Sequence, residues 1–348
     1  MIPQISNYYA QRCLQQGFQM KHGTRWRLDL FAENTRKAKK GLGLNNIMAK
    51  RLVALVYALE GKPIDHTAVM NSYDIVKSST GVLSAFRGNM SICIAAMLSL
   101  KGNPRMLFDR TAAVYDMMKD AGFGRSDFLA VAAYMVAANA EPENYQVTVA
   151  RMRSFYEGMK SQHRLYIGAD DNIFAAILAL SDVDQKYGID NVERLYELLG
   201  SDFLAKNSVL MLAQIMVAGG MSGPAAADRV LALRNAFKTQ KMPLDKAYTL
   251  PSLGILALLP VDVDAVVRDI GEAQALLKAE EGFGILSVSK QEMLMYAAAI
   301  TASGYAEDVE SGIIKAAAST SMINIIIAMQ TAMCAAVAGG AAAAASSG

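Results

Sequence analysis

Seven short segments of the chain are apolar almost all the way round, and they return about every forty residues. They read AKRLVALVYALEGKP from Ala49, NMSICIAAMLSLKGNP from Asn89, DFLAVAAYMVAANAEP from Asp127, DNIFAAILALSDVD from Asp171, NSVLMLAQIMVAGG from Asn207, PSLGILALLPVDVD from Pro251 and QEMLMYAAAITASGY from Gln291. Ala, Leu and Met dominate them and polar or turn residues bound them, which predicts helices rather than strands. Amphipathic stretches with a register of their own lie between. Tyr73, Tyr115, Tyr156 and Tyr196 occupy one equivalent position, each followed by an acid (Asp74, Asp116, Glu157, Glu197). Lys77, Lys119 and Lys160 follow three of these tyrosines at four residues, and Lys238 and Lys278 continue the lysine series. Acid and lysine, three residues apart, share one exposed helix edge and predict a weak ion pair there.

A helix that is apolar on every side must be covered on most sides. One amphipathic partner cannot do this, but neighbouring units can, and pairs such as Ala95–Ala96, Ala132–Ala133 and Ala175–Ala176 allow close approach. The pattern therefore predicts an all-α protein of six or seven tandem two-helix repeats, an α-solenoid of the HEAT or armadillo type. A closed α/α toroid uses the same hairpins and stands as the alternative. Residues 1–46 depart from the pattern. They contain the single tryptophan, Trp26, within the basic amphipathic stretch RWRLDLFAENTRKAKKG, and read as an N-terminal helical cap. Residues 47–338 form the repeat domain, and 339–348 a flexible Ala/Ser-rich tail.

Composition narrows the partners. At 348 residues, with 53% hydrophobic and 19% charged side chains, the chain has ample material for a large core. The 34 basic and 32 acidic residues leave a net charge of +2, which gives no general drive toward nucleic acid or anionic membranes. Cys13, Cys93 and Cys334 have no metal or redox spacing. The start, MIPQISNYYAQRC, lacks a charged end followed by an apolar run, so a cytoplasmic location is expected. From Ala316 to Gly348 no side chain is charged, long enough to cross a bilayer. The stretch is mostly Ala, Gly and Ser, with Asn324, Gln330 and Thr331, and alanine contributes little insertion energy. The expectation is a final helix near Ile313–Val337, packed in a groove or a homo-oligomer interface, rather than a membrane span.

The search for chemistry is mostly negative. No phosphate loop occurs, and GLGLNN at Gly41 lacks the third glycine and a preceding strand. Three histidines, His22, His66 and His163, form no histidine-pair zinc signature, and no cofactor is indicated. DVDQKYG from Asp182 resembles the opening of a calcium loop, but Lys186 and Tyr187 stand where an oxygen ligand and a glycine are needed; it reads as a capped turn. Ser287-Val-Ser-Lys290 matches SxxK without the companion motifs of that chemistry, and Ser289 reads as a helix N-cap. His163 near Asp170 and Asp171 is the one histidine–carboxylate grouping, a candidate general base. Helix capping is the plainer role for the two acids, since a helix start favours negative charge.

The repeat itself creates a second candidate. Loops entering the apolar helices carry Arg87 and Asn89, Lys206, Lys246 and Lys290. In a stacked array these loops line up beside the positive ends of the helices, giving a ridge suited to an anionic small molecule or a peptide carboxylate. On that reading, replacing Arg87 and Lys206 with Ala weakens an anion-induced thermal shift.

Several longer blocks also occur together: FAENTRKAKKGL from Phe31, GVLSAFRGNM from Gly81, RMRSFYEGMK from Arg151, GADDNIFAAILALSDVD from Gly168, LDKAYTLPSLGILALLPVD from Leu244, GFGILSVSKQE from Gly282 and STSMINIIIAMQTAM from Ser319. In these the chain resembles the bacterial domain-of-unknown-function family number 4003, from about Leu30 to the tail. The resemblance implies no reaction, cofactor or catalytic residue. Two functions remain in play. The first is a scaffold or binding module for a peptide, protein or anionic ligand, drawn from the extended surfaces such arrays offer. The second is an enzyme with its site near His163, Asp170 and Asp171.

Overall fold

A computed structural model describes residues 22–43, 47–88, 90–246, 249–284 and 287–310. Asn89, Cys13, Cys334, the stretch around Ile313–Val337 and the tail lie outside the described residues. Among those described there are fourteen α-helices, two single-turn 3-10 helices and no strand.

The apolar segments become one set of helices: α2 (Ile47–Leu59), α4 (Ser91–Ser99), α6 (Asp127–Asn139), α8 (Asp171–Leu180), α10 (Lys206–Ala218), α12 (Leu250–Leu258) and α14 (Lys290–Glu310). The amphipathic stretches become the other: α1 (His22–Gly41), α3 (His66–Ser78), α5 (Pro104–Asp120), α7 (Tyr145–Gln162), α9 (Gln185–Gly200), α11 (Gly223–Thr239) and α13 (Val263–Ala279). Each odd helix packs on the even helix that follows it, making seven hairpins. Neighbouring even helices touch from α6 through to α14, and α2 touches α4; α6 reaches the preceding hairpin through the 3-10 turn Ala85–Arg87. Odd helices touch in the same succession from α3 to α13.

Burial follows the pattern. Leu129 to Ala137 of α6 and Ser208 to Ala218 of α10 are unbroken buried runs, so these helices have no open face. Ala133 and Ala176 are fully buried, as close helix packing requires. The odd helices bury one stripe each, for example Val192, Leu195 and Leu199 of α9.

The recurrent tyrosine and lysine of the odd helices do more than form ion pairs. Lys77, Lys119 and Lys160 hold their ammonium groups over the rings of Tyr73, Tyr115 and Tyr156 at 4.4, 5.9 and 5.2 Å. An ammonium over a ring face is attracted by the ring quadrupole. Lys119 does bridge to Asp116 at 3.2 Å, whereas Glu157 pairs with Arg153. The cation–π stack thus accounts for the four-residue spacing better than the predicted ion pair.

The first and last described helices meet. α14 packs on α1 and α2, and α13 packs on α1. Phe31 of α1 lies 5.3 Å from Phe283 and 5.0 Å from Tyr296. Arg51 of α2, 2% exposed, donates to Glu292 of α14 at 3.1 Å and to the Ser287 carbonyl at 2.6 Å. Tyr296 donates to the same Glu292 oxygen at 2.7 Å. Gly304 permits close approach: a Cβ there would lie 2.5 Å from the Thr24 hydroxyl. Helix α1, within the segment expected to act as a cap, packs on α2, α13 and α14.

Candidate functional site

Because successive helices alternate in direction, the even helices start at one rim and end at the other. The rim where they end is tied down by chain-to-chain bonds. Arg151 of α7 donates to three carbonyls at and beyond the end of α8, those of Ala179, Ser181 and Val183, at 3.1, 2.9 and 2.5 Å. Arg229 of α11 repeats this on Ala257, Leu259 and Val261 at 2.8, 2.5 and 2.6 Å. A guanidinium fork suits several carbonyls at once, and these groups satisfy carbonyls that a helix end leaves without partners.

The rim where the even helices start is different. Asp171, the first residue of α8, is fully buried. Its carboxylate accepts the Gly168 N–H at 2.8 Å and the Gln214 side-chain N–H at 3.2 Å. Burial, and then the neighbouring Asp170 charge, push the Asp171 carboxyl up to about 7. Asp170 sits at the N-cap position of α8, yet makes no side-chain bond to the helix amides; it accepts from Asn207 at 3.1 Å. The capping role expected of these acids is thus replaced by bonds to α10, the neighbouring inner helix. Burial, followed by the Asp171 charge, also pushes the Tyr156 hydroxyl up.

His163 does not join them. It is the C-cap residue of α7, its Nε2 is hydrogen-bonded to Glu193 of α9, and its ring meets Tyr196 edge-on at 4.3 Å. Phe86 meets Tyr115 at 5.0 Å and Phe123 meets Tyr156 at 5.4 Å in the same way. His163 therefore occupies an aromatic packing position of the repeat, with Glu193 accepting from its polar edge. The contacts of His163 are thus with Glu193 and Tyr196, and those of Asp170 and Asp171 with α10.

The cationic loop residues have individual fates. The Arg87 guanidinium donates to the Lys77 carbonyl, to the Thr80 carbonyl at 2.6 Å and to the Thr80 hydroxyl at 3.2 Å, closing the end of α3. Lys206 donates to the Gly200 carbonyl and to that of Phe203 at 3.1 Å, closing the end of α9. Lys246 is exposed, and its backbone N–H donates to the Thr249 hydroxyl at 3.2 Å. Lys290 donates to the Lys241 carbonyl at 2.7 Å and lines a cavity of about 560 Å³ with Lys238, Lys241, Pro243, Ser289 and Gln291. A second cavity on this rim, about 360 Å³, lies among Ser79–Phe86, Tyr115, Lys119 and Arg125. Beside the opposite rim, the cavity bordered by Val56, Met97, Lys101 and Tyr134 holds only about 30 Å³. The expected caps do form at Ser289, which accepts the Glu292 N–H at 3.1 Å, and at Asp184, which accepts the Tyr187 N–H at 2.9 Å.

Sequence reasoning passed over Gln214 and Lys238. The signal for Gln214 is present: past the first turn it is the one polar side chain in the otherwise apolar NSVLMLAQIMVAGG. Lys238 was noted only as a member of the lysine series, because its cavity forms between hairpins.

These features define an all-helical hairpin protein with a buried acid and two cavities where its even helices start. The chain belongs to the family described as "Protein of unknown function (DUF4003)", whose model matches residues 35–332. No curated protein and no solved structure matches the chain. Among the described residues no helix is long and apolar enough to cross a membrane.

Proposed function

We propose that this protein is a binding module that takes an anionic group on the rim where the even helices start, and that its hairpins close into an α/α toroid rather than an open solenoid. The contacts of α14 and α13 with α1 support the closed form. The observation that carries the binding reading is the cavity of about 560 Å³ at the end of α11 and the start of α14. Its size is that of a small-molecule or peptide-terminus pocket. Lys238, Lys241 and Lys290 line it, and no acid does. Its floor is partly apolar, with Pro243 and Leu294. One of the three Lys290 ammonium donors is held by the Lys241 carbonyl, which positions the group at the mouth. The start of α14 adds its positive dipole end. Arg87 and Lys206, which serve helix ends, belong to the scaffold in this reading.

The test is calorimetry and thermal shift with inorganic phosphate, and with one peptide carrying either a free or an amidated C-terminus. Phosphate or the free-carboxylate peptide binds the wild type, and Lys238→Ala with Lys290→Ala weakens binding about tenfold or more. The amidated peptide marks the carboxylate as the recognised group if it binds less. Equal binding by wild type and the double variant overturns the reading. An enzyme has one observation in its favour, the near-neutral Asp171 carboxyl. Against it, His163 faces Glu193 and Tyr196 rather than that acid.

A further inference from the structure

The starts of α8 and α10 gather more hydrogen-bond acceptors than the protein supplies donors for. Asp170 and Asp171 contribute two carboxylates, each accepting from an amide of α10. The partner amides then present their oxygens with nothing to accept: Gln214 Oε1 and Asn207 Oδ1 are buried without a hydrogen-bond partner, and so is Asn172 Oδ1 next to Asp171. Gln214 is 1% exposed and Asn172 3% exposed. Turning the Gln214 or Asn207 amide over does not relieve this, because it would set an amide oxygen against a carboxylate oxygen. No lysine or arginine is among the groups acting on Asp171; the one charge beside it is Asp170, of like sign. The start of α8 offers roughly half a positive charge, which does not balance two carboxylates. Leaving buried polar atoms unpaired is costly, so two carboxylates beside three unpaired amide oxygens call for a positive species.

We propose that Asp170, Asp171, Asn172, Asn207 and Gln214 form a binding site for a hard divalent cation, calcium by preference. The donor set is all oxygen, with two carboxylates and three amides. Soft or borderline metals favour sulfur and imidazole, whereas oxygen donors suit calcium and magnesium. Among the described residues no three His, Cys, Asp or Glu side chains gather as a metal cluster, so the amides complete this set. Two carboxylates, each able to bind through both oxygens, together with three amide oxygens reach the six to eight ligands calcium takes. Magnesium keeps several waters and demands octahedral geometry, which a fully buried acid and two nine-tenths-buried amides suit less well. A cation here joins α8 to α10, so it braces two hairpins rather than one. This inference stands apart from the lysine cavity and does not depend on it.

The experiment uses the full chain dialysed against EDTA, followed by calorimetric titration with calcium chloride and, separately, magnesium chloride, with thermal unfolding in each. Calcium raises the midpoint of the wild type and magnesium raises it less. Asp170→Asn, at a half-buried position where folding is retained, weakens calcium binding at least about tenfold. Asp171→Asn removes it, with circular dichroism confirming the helices. The inference is overturned if calcium neither binds nor shifts the wild type, the acceptors then being met by a proton on Asp171. Asp170→Asn and Asp171→Asn keeping the full calcium shift would equally overturn it.

Discussion

The two rims of this molecule are built from the same hairpins and have come to opposite ends. Where the even helices finish, each arginine fork is spent on carbonyls: Arg151 on Ala179, Ser181 and Val183, and Arg229 on Ala257, Leu259 and Val261. Where the even helices start, acceptors are left over at Asn172, Asn207 and Gln214, an acid is buried at Asp171, and the two larger cavities open. A rim that satisfies its own polar groups is a scaffold. A rim that leaves them unsatisfied is where a ligand gains most, because unpaired buried groups are costly until something meets them.

The sharpest way to break this comparison is to titrate it. Asp171 titrates at about 7 in the folded chain and near 3.9 when unfolded. Between those values the folded chain holds a proton the unfolded chain has lost, so stability falls as pH rises from about 4 to about 7 and is level above. The effect is on the order of 4 kcal/mol without divalent ions. Burial and then the Asp170 charge oppose ionisation, while the hydrogen bonds from Gly168 and Gln214 favour it in part. Urea unfolding at a series of pH values reads the slope, and Asp171→Asn flattens it. A slope unchanged in Asp171→Asn places the titrating group elsewhere.

At the opposite rim, Arg151→Ala and Arg229→Ala each remove bonds to three carbonyls, of which Leu259 keeps the Val261 N–H, and cost about 3 kcal/mol. Lysine at either position restores less than half, since it lacks the fork. Denaturant midpoints that hardly move would show the clamps to be decoration. Smallest of all, Lys238→Ala and Lys290→Ala change stability by about 0.5 kcal/mol or less, while altering anion binding. A large loss of stability there would make that rim a scaffold as well, and erase the contrast.

Most of the helix plan was legible. Each of the seven apolar segments overlaps one even helix, because an unbroken apolar helix cannot be hidden except by neighbours. What was not legible is where the series ends. A forty-residue period specifies contact between successive units, and the meeting of Phe31, Phe283 and Tyr296 is a contact between residues some 250 apart in the chain. The candidate site was half visible. Asp170 and Asp171 stood out as adjacent acids, but their partners Asn207 and Gln214 are ordinary amides that acquire meaning only when α10 lies beside α8. His163 misled for the opposite reason: its chemistry is conspicuous, yet the fold uses its ring as it uses Phe86 and Phe123.

The contact of Arg51 with Glu292, and of Gly304 with Thr24, has a thermodynamic consequence. A linear stack can fray from whichever terminal unit is weakest, and its melting spreads over many partly folded species. The first described hairpin is held to the last by contacts and by the buried Arg51–Glu292 pair, so these two do not fray independently and their melting is coupled.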